Sequence, residues 1–300
     1  MVKIISECET LFASEQNLAN TINYAEALIK SDKIADGMVI FKDYEKKFIN
    51  NPYFLMSHAK ALKYTGKKTD SVNKLIKAQS IKSGLPLWTY HETQKLSYAS
   101  YIAFNKKLGY TPIPKNGSSS LSKIYVKITQ NIETINPHQY YDNPYFVTKK
   151  ITDIDISETT FCVVRDPIER LISYYLGNII KRGSLEQISK SKALYGISTK
   201  PTISEFFENL DKYIYCYSDV HHHTLPQSAY IEPIRKFNPI LIKLENLDQF
   251  INSSDILKNA YTGRLMKGKS SKKAEEKLRK VSAEGMQIIN KFIDSDMKYF

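Results

Sequence analysis

An apolar run that leads directly into a helix start constrains the fold of this chain more than any other feature. Positions 161–164 read Phe-Cys-Val-Val, which is the length and composition of a short buried strand. Arg165 follows at the carboxyl end of this strand, Asp166 can cap the next helix, and Pro167 suits the first helical position. A strand that passes at once into a helix is typical of a parallel sheet with crossover helices.

The same alternation of apolar runs and helical stretches continues through the chain after residue 107. Three further runs are candidate strands: GYTPI at 109–113, PYFVT at 144–148 and PILIKL at 239–244. Helices are expected from about Ser119 and from Pro167. We therefore predict an α/β fold for residues 107–300, with a P-loop-like parallel sheet flanked by helices.

The first hundred residues have a different pattern, a repeat with a period of 34. Residues 19–52 align with 53–86, and the alignment matches Ala25 to Ala59, Ala27 to Ala61, Leu28 to Leu62 and Pro52 to Pro86. Small alanines let paired helices approach closely, and the prolines punctuate each unit. This half resembles tetratricopeptide repeats, which have about this period. We predict an N-terminal all-α repeat segment over residues 1–106.

Two repeats are fewer than the three usually needed for independent stability. We therefore expect them to pack on neighbouring helices at residues 2–18 and 88–106, or on the following domain. They can hold an acceptor, a protein partner or a second copy of the chain, and a pair of helical hairpins without a binding role is the alternative.

Composition limits the partners and the compartment. The formal net charge of +12, from 43 basic and 31 acidic residues, predicts attraction to anions such as nucleotides, sulfated substrates or an acidic membrane face. No nucleic-acid-binding module accompanies it, so nucleic acid is not an expected partner. The three cysteines show no CxxC or zinc-ligand spacing, so no disulfide framework or metal site is expected. Without a signal-peptide core or a run of about 18 apolar residues, a cytoplasmic protein with no membrane span is predicted.

A second motif, PKNGSSSL at positions 114–121, lies between a candidate strand and a helix. Gly117 lets the backbone approach an anion, and the N–H groups and dipole of a helix start attract it. Lys115 adds a mobile positive charge, and the serines at 118–120 add hydroxyl donors. Because the loop departs from the GxxxxGK[ST] pattern, a serine-capped helix start is the alternative interpretation.

Arg165, at the end of a buried strand, indicates a second anion site. In a doubly wound sheet, ligands bind outside the carboxyl ends of the strands. There Arg165 and Ser173, two turns into the following helix, can share one phosphate. The alternative is that Arg165 pairs with a structural carboxylate, such as Glu169 or Glu245.

Together, PKNGSSSL and RDPIERLISYY, with Lys115 and Arg165 separated by 50 positions, resemble the sulfotransferase family, specifically the branch of Golgi carbohydrate sulfotransferases and their bacterial relatives. The resemblance covers about residues 107–300. It implies the sulfotransferase fold and 3′-phosphoadenosine 5′-phosphosulfate (PAPS) as the sulfuryl donor, with no metal required. The donor-binding residues implied are Lys115, Asn116, Gly117, Ser118, Ser119 and Ser120 for the 5′-phosphosulfate, and Arg165 and Ser173 for the 3′-phosphate. Lys115 is also implied in catalysis, where it stabilises the bridging oxygen as the sulfuryl group leaves.

The catalytic base is less well defined. The segment HTLPQ, from His223 to Gln227, looks like the family's H-x-x-P-Q element, and His138 lies in the region where related enzymes place a catalytic histidine. Both histidines are candidate bases, because an imidazole pKa is easily tuned to the operating pH. The carboxylates of Glu133 and Asp155 stay open as alternatives. If the run at 221–223 were a strand, neighbouring histidines could not face one pocket.

Two further features follow from the resemblance. Lys269 lies in the basic segment 264–272, which by analogy can form a loop that closes over the 3′-phosphate. Pro112 stands where the family's first strand is usually apolar, and because proline removes a ladder N–H, the register of that strand is in question.

The resemblance favours a carbohydrate as the hydroxyl acceptor, while a lipid, a small metabolite or a peptide tyrosine stays open. Two other classes of function compete. A kinase-like phosphotransferase also begins with a strand, a phosphate loop and a helix, although this chain lacks the GK[ST] ending. An inactive scaffold protein, in which the repeats recruit a peptide, is the other.

Overall fold

The computed structural model describes residues 2–82, 85–134, 136–137, 149–189, 197–261 and 276–299. The chain divides into two compact units. Unit 1 consists of Met1–Ser83 and Asn178–His221, and unit 2 consists of Gly84–Gly177 and His222–Phe300. The domain boundary predicted between residues 106 and 107 stays a prediction.

In the described residues, helices and strands are numbered separately, each in chain order. The α-helices are α1 (Val2–Ser14), α2 (Leu18–Lys30), α3 (Ile34–Asp43), α4 (Glu45–Phe48), α5 (Pro52–Tyr64), α6 (Lys68–Ile81), α7 (Leu87–Glu92), α8 (Ser118–Gln130), α9 (Pro167–Tyr174), α10 (Ser184–Ser189), α11 (Ile203–Glu208), α12 (Leu210–Cys216), α13 (Ser218–Thr224), α14 (Ser228–Ile231), α15 (Leu247–Ser253) and α16 (Ala283–Ile293). The strands are β1 (Tyr98–Ala99), β2 (Ile102–Ala103), β3 (Leu108–Thr111), β4 (Lys149–Lys150), β5 (Thr159–Val164) and β6 (Ile240–Lys243). A π-helical turn spans Tyr175–Ile180, and 3₁₀ turns include Glu232–Phe237 and Asp294–Tyr299.

Two helical hairpins, α2–α3 and α5–α6, form the N-terminal part of unit 1. Their first helices begin at Leu18 and Pro52 and their second helices at Ile34 and Lys68, so both starts recur after 34 residues. The N-caps recur with the same spacing, because the side chain of Asn17 accepts from a backbone N–H of α2 and that of Asn51 accepts from two in α5. The period read from the sequence is therefore the period of the helices.

The hairpins are covered within unit 1 by a helix from the N-terminal segment and by one from residues 178–221. In α1, the ring of Phe12 stacks on that of Tyr24 of α2, with ring centroids 5.1 Å apart. From the later segment, Tyr215 of α12 stacks on Tyr64 of α5 at 4.9 Å, and the ammonium of Lys60 lies 5.5 Å from the centre of the Tyr215 ring. Helix α12, which lies within the predicted domain of residues 107–300, thus packs on α5.

The prediction of a helix over residues 88–106 is wrong. Helix α7 ends at Glu92, and the chain then forms the short strands β1 and β2. Strand β1 pairs with β4, and β2 pairs with β3. These partners provide the backbone hydrogen bonds that a helix would form within itself.

The described residues of unit 2 form a four-stranded sheet of order β2-β3-β5-β6. Strands β3, β5 and β6 are parallel, and β2 runs antiparallel to β3. Helix α8 follows β3 and helix α9 follows β5, as predicted, so the α/β fold is confirmed. The strand predicted at 144–148 lies outside the described residues.

The register of the parallel strands places two strand ends side by side. Leu108 is opposite Thr159, and Thr111 is opposite Cys162. Strand β3 ends at Thr111, so Pro112 lies just beyond the ladder and removes no strand N–H. The carboxyl ends of β3 and β5, with the loops that follow them, therefore share one edge of the sheet.

The core of unit 2 lies where α8 and α15 pack on the sheet. Phe161, at the centre of β5, stacks on Tyr110 of β3 with ring centroids 5.0 Å apart and contacts Phe250 of α15 at 4.9 Å. Other buried members are Ile102, Phe104, Leu108, Leu121, Ile124, Val163, Ile242, Leu247, Ile251 and Leu257. No helix in the described part of the chain is both long enough and apolar enough to cross a membrane.

Unit 1 holds a half-buried ion pair between Glu26 and Lys30. The carboxylate of Glu26 accepts hydrogen bonds from Lys30 Nζ, at 2.9 Å, and from the hydroxyl of Ser57. Burial alone raises the pKa of Glu26, but the charges of Lys30 and Lys60 and these hydrogen bonds lower it from 4.5 to about 2. The carboxylate thus links α2 to α5 in its charged form.

We expect the stability of the fold to depend on this charge. Because the pKa is lower in the folded chain, ionised Glu26 contributes stability above about pH 4.5, and this contribution is lost as the pH falls towards 2. Glu26→Gln should lower the free energy of unfolding at neutral pH by about 1–3 kcal/mol. It should also lose less stability than the wild type on acidification. Urea unfolding followed by circular dichroism at several pH values measures both effects.

The matched control is Glu15→Gln, which removes an exposed carboxylate from the same unit. It should change the free energy of unfolding by less than about 0.5 kcal/mol. Equal losses in the two variants, or an unchanged pH dependence in Glu26→Gln, would contradict the role given to the pair.

Candidate functional site

The loop between β3 and α8 is shaped by two residues in the left-handed region. Lys115 has φ +71° and Gly117 has φ +78°. A Cβ built on Gly117 would lie 3.0 Å from the side chain of Leu247, so glycine suits both the backbone angle and the space. Gly117 is the N-cap of α8 and has no side chain with which to cap this helix. The alternative of a serine-capped start is therefore wrong, and the helix presents the N–H groups of its first turn, which attract an anion.

The side chain of Asn116 is directed into the unit, away from solvent. It is fully buried, and its Nδ2 donates to the carbonyl oxygen of Val163 at 2.8 Å and to Gln227 Oε1 at 2.6 Å. Val163 belongs to β5, so Asn116 ties the loop after β3 to the neighbouring strand. Its side chain therefore stabilises the conformation of the loop.

The ammonium group of Lys115 lies beside Gly177. A Cβ built on Gly177 would be 3.1 Å from Lys115 Nζ. Gly177 is part of the π-helical turn that continues α9, and π turns inside helices are frequent at functional sites. The two predicted motifs therefore meet here, because the segment that follows RDPIERLISYY passes directly over the lysine of PKNGSSSL.

Arg165 is nearly buried at the carboxyl end of β5, where the sequence predicted it. Asp166 caps α9 by accepting from the N–H of Glu169 at 2.8 Å, and Pro167 occupies the first turn. The guanidinium of Arg165 donates from Nε and Nη2 to one oxygen of Glu169, at 3.4 and 3.3 Å. The pairing with Glu169, left open by the sequence, is thus present.

The geometry of this ion pair is weak. Strong guanidinium–carboxylate pairs use two parallel hydrogen bonds of about 2.7–2.9 Å to two oxygens. Here both bonds converge on Glu169 Oε2 and both exceed 3.2 Å. A phosphate, with three acceptor oxygens and a larger charge, can compete for Arg165 at this position.

The second arginine of the motif, Arg170, has a structural role that sequence reasoning did not assign. It is almost completely buried, and it donates from Nη1 to the carbonyl of His223 at 3.0 Å and from Nη2 to that of Leu225 at 2.5 Å. Burial lowers the pKa of Arg170, while the charge of Asp296 opposes this shift. The sequence feature that could have indicated this role is the position of Arg170 in the RDPxxR pattern.

His223, a predicted catalytic residue, is half-buried at the end of α13. Its ring stacks on that of Tyr174 at 4.8 Å, and Tyr174 precedes Gly177 by three residues. The run at 221–223 is helical, so the strand geometry considered for it is wrong. His221 and His222 are buried, which leaves His223 as the more accessible imidazole of the three.

The other predicted residues have different environments. Ser118 is nearly buried, whereas Ser119 and Ser120 in the first turn of α8, and Ser173 near the end of α9, are half-buried. The carboxylate of Glu133 is 71% exposed and lies 3.6 Å from Lys127, and Asp155 is exposed. His138 and Lys269, with the rest of the basic segment, lie outside the described residues.

A loop at a helix N-terminus beside an arginine at the next strand end is an arrangement that attracts phosphate groups in α/β proteins. The family model of the Sulfotransferase family matches residues 100–300, which is two thirds of the chain. This chain therefore belongs to the sulfotransferase family, and the family predicted from the two motifs is confirmed. No curated protein and no solved structure matches it. The chain is a transferase, and the reaction class is sulfuryl transfer to an acceptor that carries a hydroxyl group.

We expect the two arginines of the motif to differ sharply when each is replaced by methionine. Arg170→Met leaves the buried carbonyls of His223 and Leu225 without their donor, and should lower the free energy of unfolding by about 2–4 kcal/mol. Arg165→Met removes a long ion pair to Glu169, whose side chain is 28% exposed and can be solvated, so it should cost less, about 1 kcal/mol. Chemical denaturation of both variants measures the difference. Equal losses would contradict these assignments.

Proposed function

We propose that the sulfuryl donor is PAPS, bound with its 5′-phosphosulfate at the start of α8 and its 3′-phosphate at Arg165. The single observation that carries this proposal is the placement of the two anion-attracting elements at adjacent strand ends. The N-cap of α8 is Gly117, which has no side chain to cap the helix, and the pairing of Arg165 with Glu169 is long and uses a single oxygen. The net charge of +12 favours such an anionic ligand.

The residues divide between the two phosphate positions. Lys115 and the N–H groups of Gly117 and the first turn of α8 would hold the 5′ side, together with the hydroxyls of Ser118, Ser119 and Ser120. Arg165 and Ser173 would hold the 3′-phosphate, and Lys269 is proposed to cover it. Asn116 contributes through the loop that its buried side chain fixes.

Sulfuryl transfer is a displacement at sulfur, in which the acceptor oxygen forms a new S–O bond as the bond between sulfur and the bridging phosphate oxygen breaks. The products are a sulfate ester, 3′-phosphoadenosine 5′-phosphate and a proton. Protein groups mainly position the reactants and neutralise charge in such a step. The ammonium of Lys115 would stabilise the negative charge that develops on the bridging oxygen.

A base must accept the proton of the acceptor hydroxyl. We propose His223 for this role, with His138 as the second candidate. The ring of His223 stacks on Tyr174, which precedes Gly177, the residue beside the Lys115 ammonium, by three positions. Stacking fixes the imidazole plane, and an imidazole can take up a proton near neutral pH.

We propose a carbohydrate as the hydroxyl acceptor, and this finer assignment is supported by the resemblance of RDPIERLISYY and PKNGSSSL to the carbohydrate branch of the family. The N-terminal hairpins are proposed to be tetratricopeptide-like and to hold a protein partner or a second copy of the chain. Their 34-residue helix spacing supports this, as does a groove of about 570 Å³ along α3 and α6.

Binding of 3′-phosphoadenosine 5′-phosphate, the desulfated donor, tests the donor site. We expect wild type to bind it at least 100-fold more tightly than adenosine 5′-phosphate, since about 2.7 kcal/mol separates the two in such a charge-assisted site. Arg165→Met should remove most of this preference and leave the affinity for adenosine 5′-phosphate within about threefold. Isothermal titration calorimetry measures all four dissociation constants.

The control is Glu169→Gln, which removes the competing carboxylate and keeps the guanidinium. Its affinity for the bisphosphate should equal or exceed that of wild type. Tighter binding of ATP with Mg²⁺ than of the bisphosphate would favour the hypothesis of a kinase-like phosphotransferase. Binding of neither nucleotide would favour the hypothesis of an inactive scaffold protein.

Transfer of radiolabelled sulfate from PAPS tests the acceptor and the role of Lys115. We expect labelled product with oligosaccharide acceptors and none with a tyrosine-containing peptide. Lys115→Met should reduce kcat by about 10²–10³-fold, the usual effect of removing one group that stabilises transition-state charge. Labelling of the peptide alone would reject a carbohydrate acceptor while leaving the donor site intact.

A further inference from the structure

We propose that Gln227 is a positioning residue that fixes the spacing between the two phosphate-binding segments, and that this fixed spacing makes the site select nucleotides phosphorylated at both positions. The inference rests on the proposed function, because it concerns the same donor site. Gln227 lies in the HTLPQ segment, whose role the sequence alone did not define.

The amide of Gln227 joins both segments directly. Its Oε1 accepts from Asn116 Nδ2, at 2.6 Å, and from the backbone N–H of Arg165, at 3.1 Å. Its Nε2 donates to the carbonyl oxygen of Arg165 at 2.8 Å. One side chain therefore holds the loop that carries Lys115 and both backbone groups of the residue that would bind the 3′-phosphate.

The position of Gln227 is itself fixed from two sides. The carboxylate of Asp296, near the end of the chain, accepts from the N–H groups of Gln227 and Ser228 at 2.9 and 2.8 Å. On the other side, Arg170 holds the carbonyl of Leu225. Gln227 is fully buried and Asp296 is 1% exposed, so water does not compete for these hydrogen bonds.

A ligand with two phosphates gains from this arrangement only while the two sites keep the right separation. When one phosphate is bound, the second binds as an intramolecular event, and its effective concentration falls steeply if the sites move relative to each other. A ligand with one phosphate gains nothing from the separation. Loss of the Gln227 hydrogen bonds should therefore weaken the bisphosphate and spare each monophosphate.

The test measures the dissociation constants of 3′-phosphoadenosine 5′-phosphate, adenosine 5′-phosphate and adenosine 3′-phosphate by calorimetry. In Gln227→Met, which keeps the length of the side chain and removes its three hydrogen bonds, the bisphosphate should bind about 10–100-fold more weakly. Each monophosphate should change by less than about threefold. The matched control is Gln249→Met, the same exchange at an exposed position, which should leave all three constants unchanged.

A second variant keeps the test decisive if Gln227→Met does not fold. Asn116→Leu cuts the link from the loop side and leaves the bonds between Gln227 and Arg165 in place, so it should show the same selective loss. Equal weakening of all three nucleotides, or no weakening, in the folded variants would overturn the proposal. Failure of the wild type to bind the bisphosphate would instead reject the donor site itself.

Discussion

The carboxyl end of β5 depends on a set of buried hydrogen bonds that converge on the backbone of Arg165. The amide of Gln227 takes up both the N–H and the carbonyl of this residue, and Asn116 reaches the same point from the loop after β3. Each of these groups would be costly to bury alone, because an unsatisfied polar atom loses its hydration without compensation. Together they fix the direction in which the strand end and the loop present their charges.

The need of buried polar groups for hydrogen-bond partners also explains why two arginines five positions apart have different environments. Arg165 stands at the strand end, where, among the described residues, its guanidinium pairs with a single oxygen of Glu169 at 3.3–3.4 Å. Arg170 points from the following helix into the unit and satisfies two carbonyls of the segment 223–225. Arg170 thus holds the element that carries Gln227, whereas Arg165 has the weaker of the two sets of side-chain contacts.

Unit 1 is completed by a segment from the sulfotransferase part of the chain. The family match begins at residue 100, yet residues 178–221 belong to the same compact unit as the N-terminal hairpins. Tyr215 of α12 contributes to the core that contains Ala25, Phe41 and Phe54. Two hairpins bury too little apolar surface to be stable alone, and α12 supplies part of what a third repeat would add.

The sequence by itself determined the local structure: the strand into Arg165, the Asp166 cap with Pro167, the glycine before α8 and the 34-residue helix period all depend on neighbouring residues. It also determined the family, because the two motifs carry specific side chains at fixed positions. Only the tertiary structure decided that Asn116 turns inward, that Gly177 lies over Lys115 and that Asp296 holds Gln227. These contacts join residues 47 to 69 positions apart, and no local propensity encodes them, since long-range packing selects which polar groups become buried together.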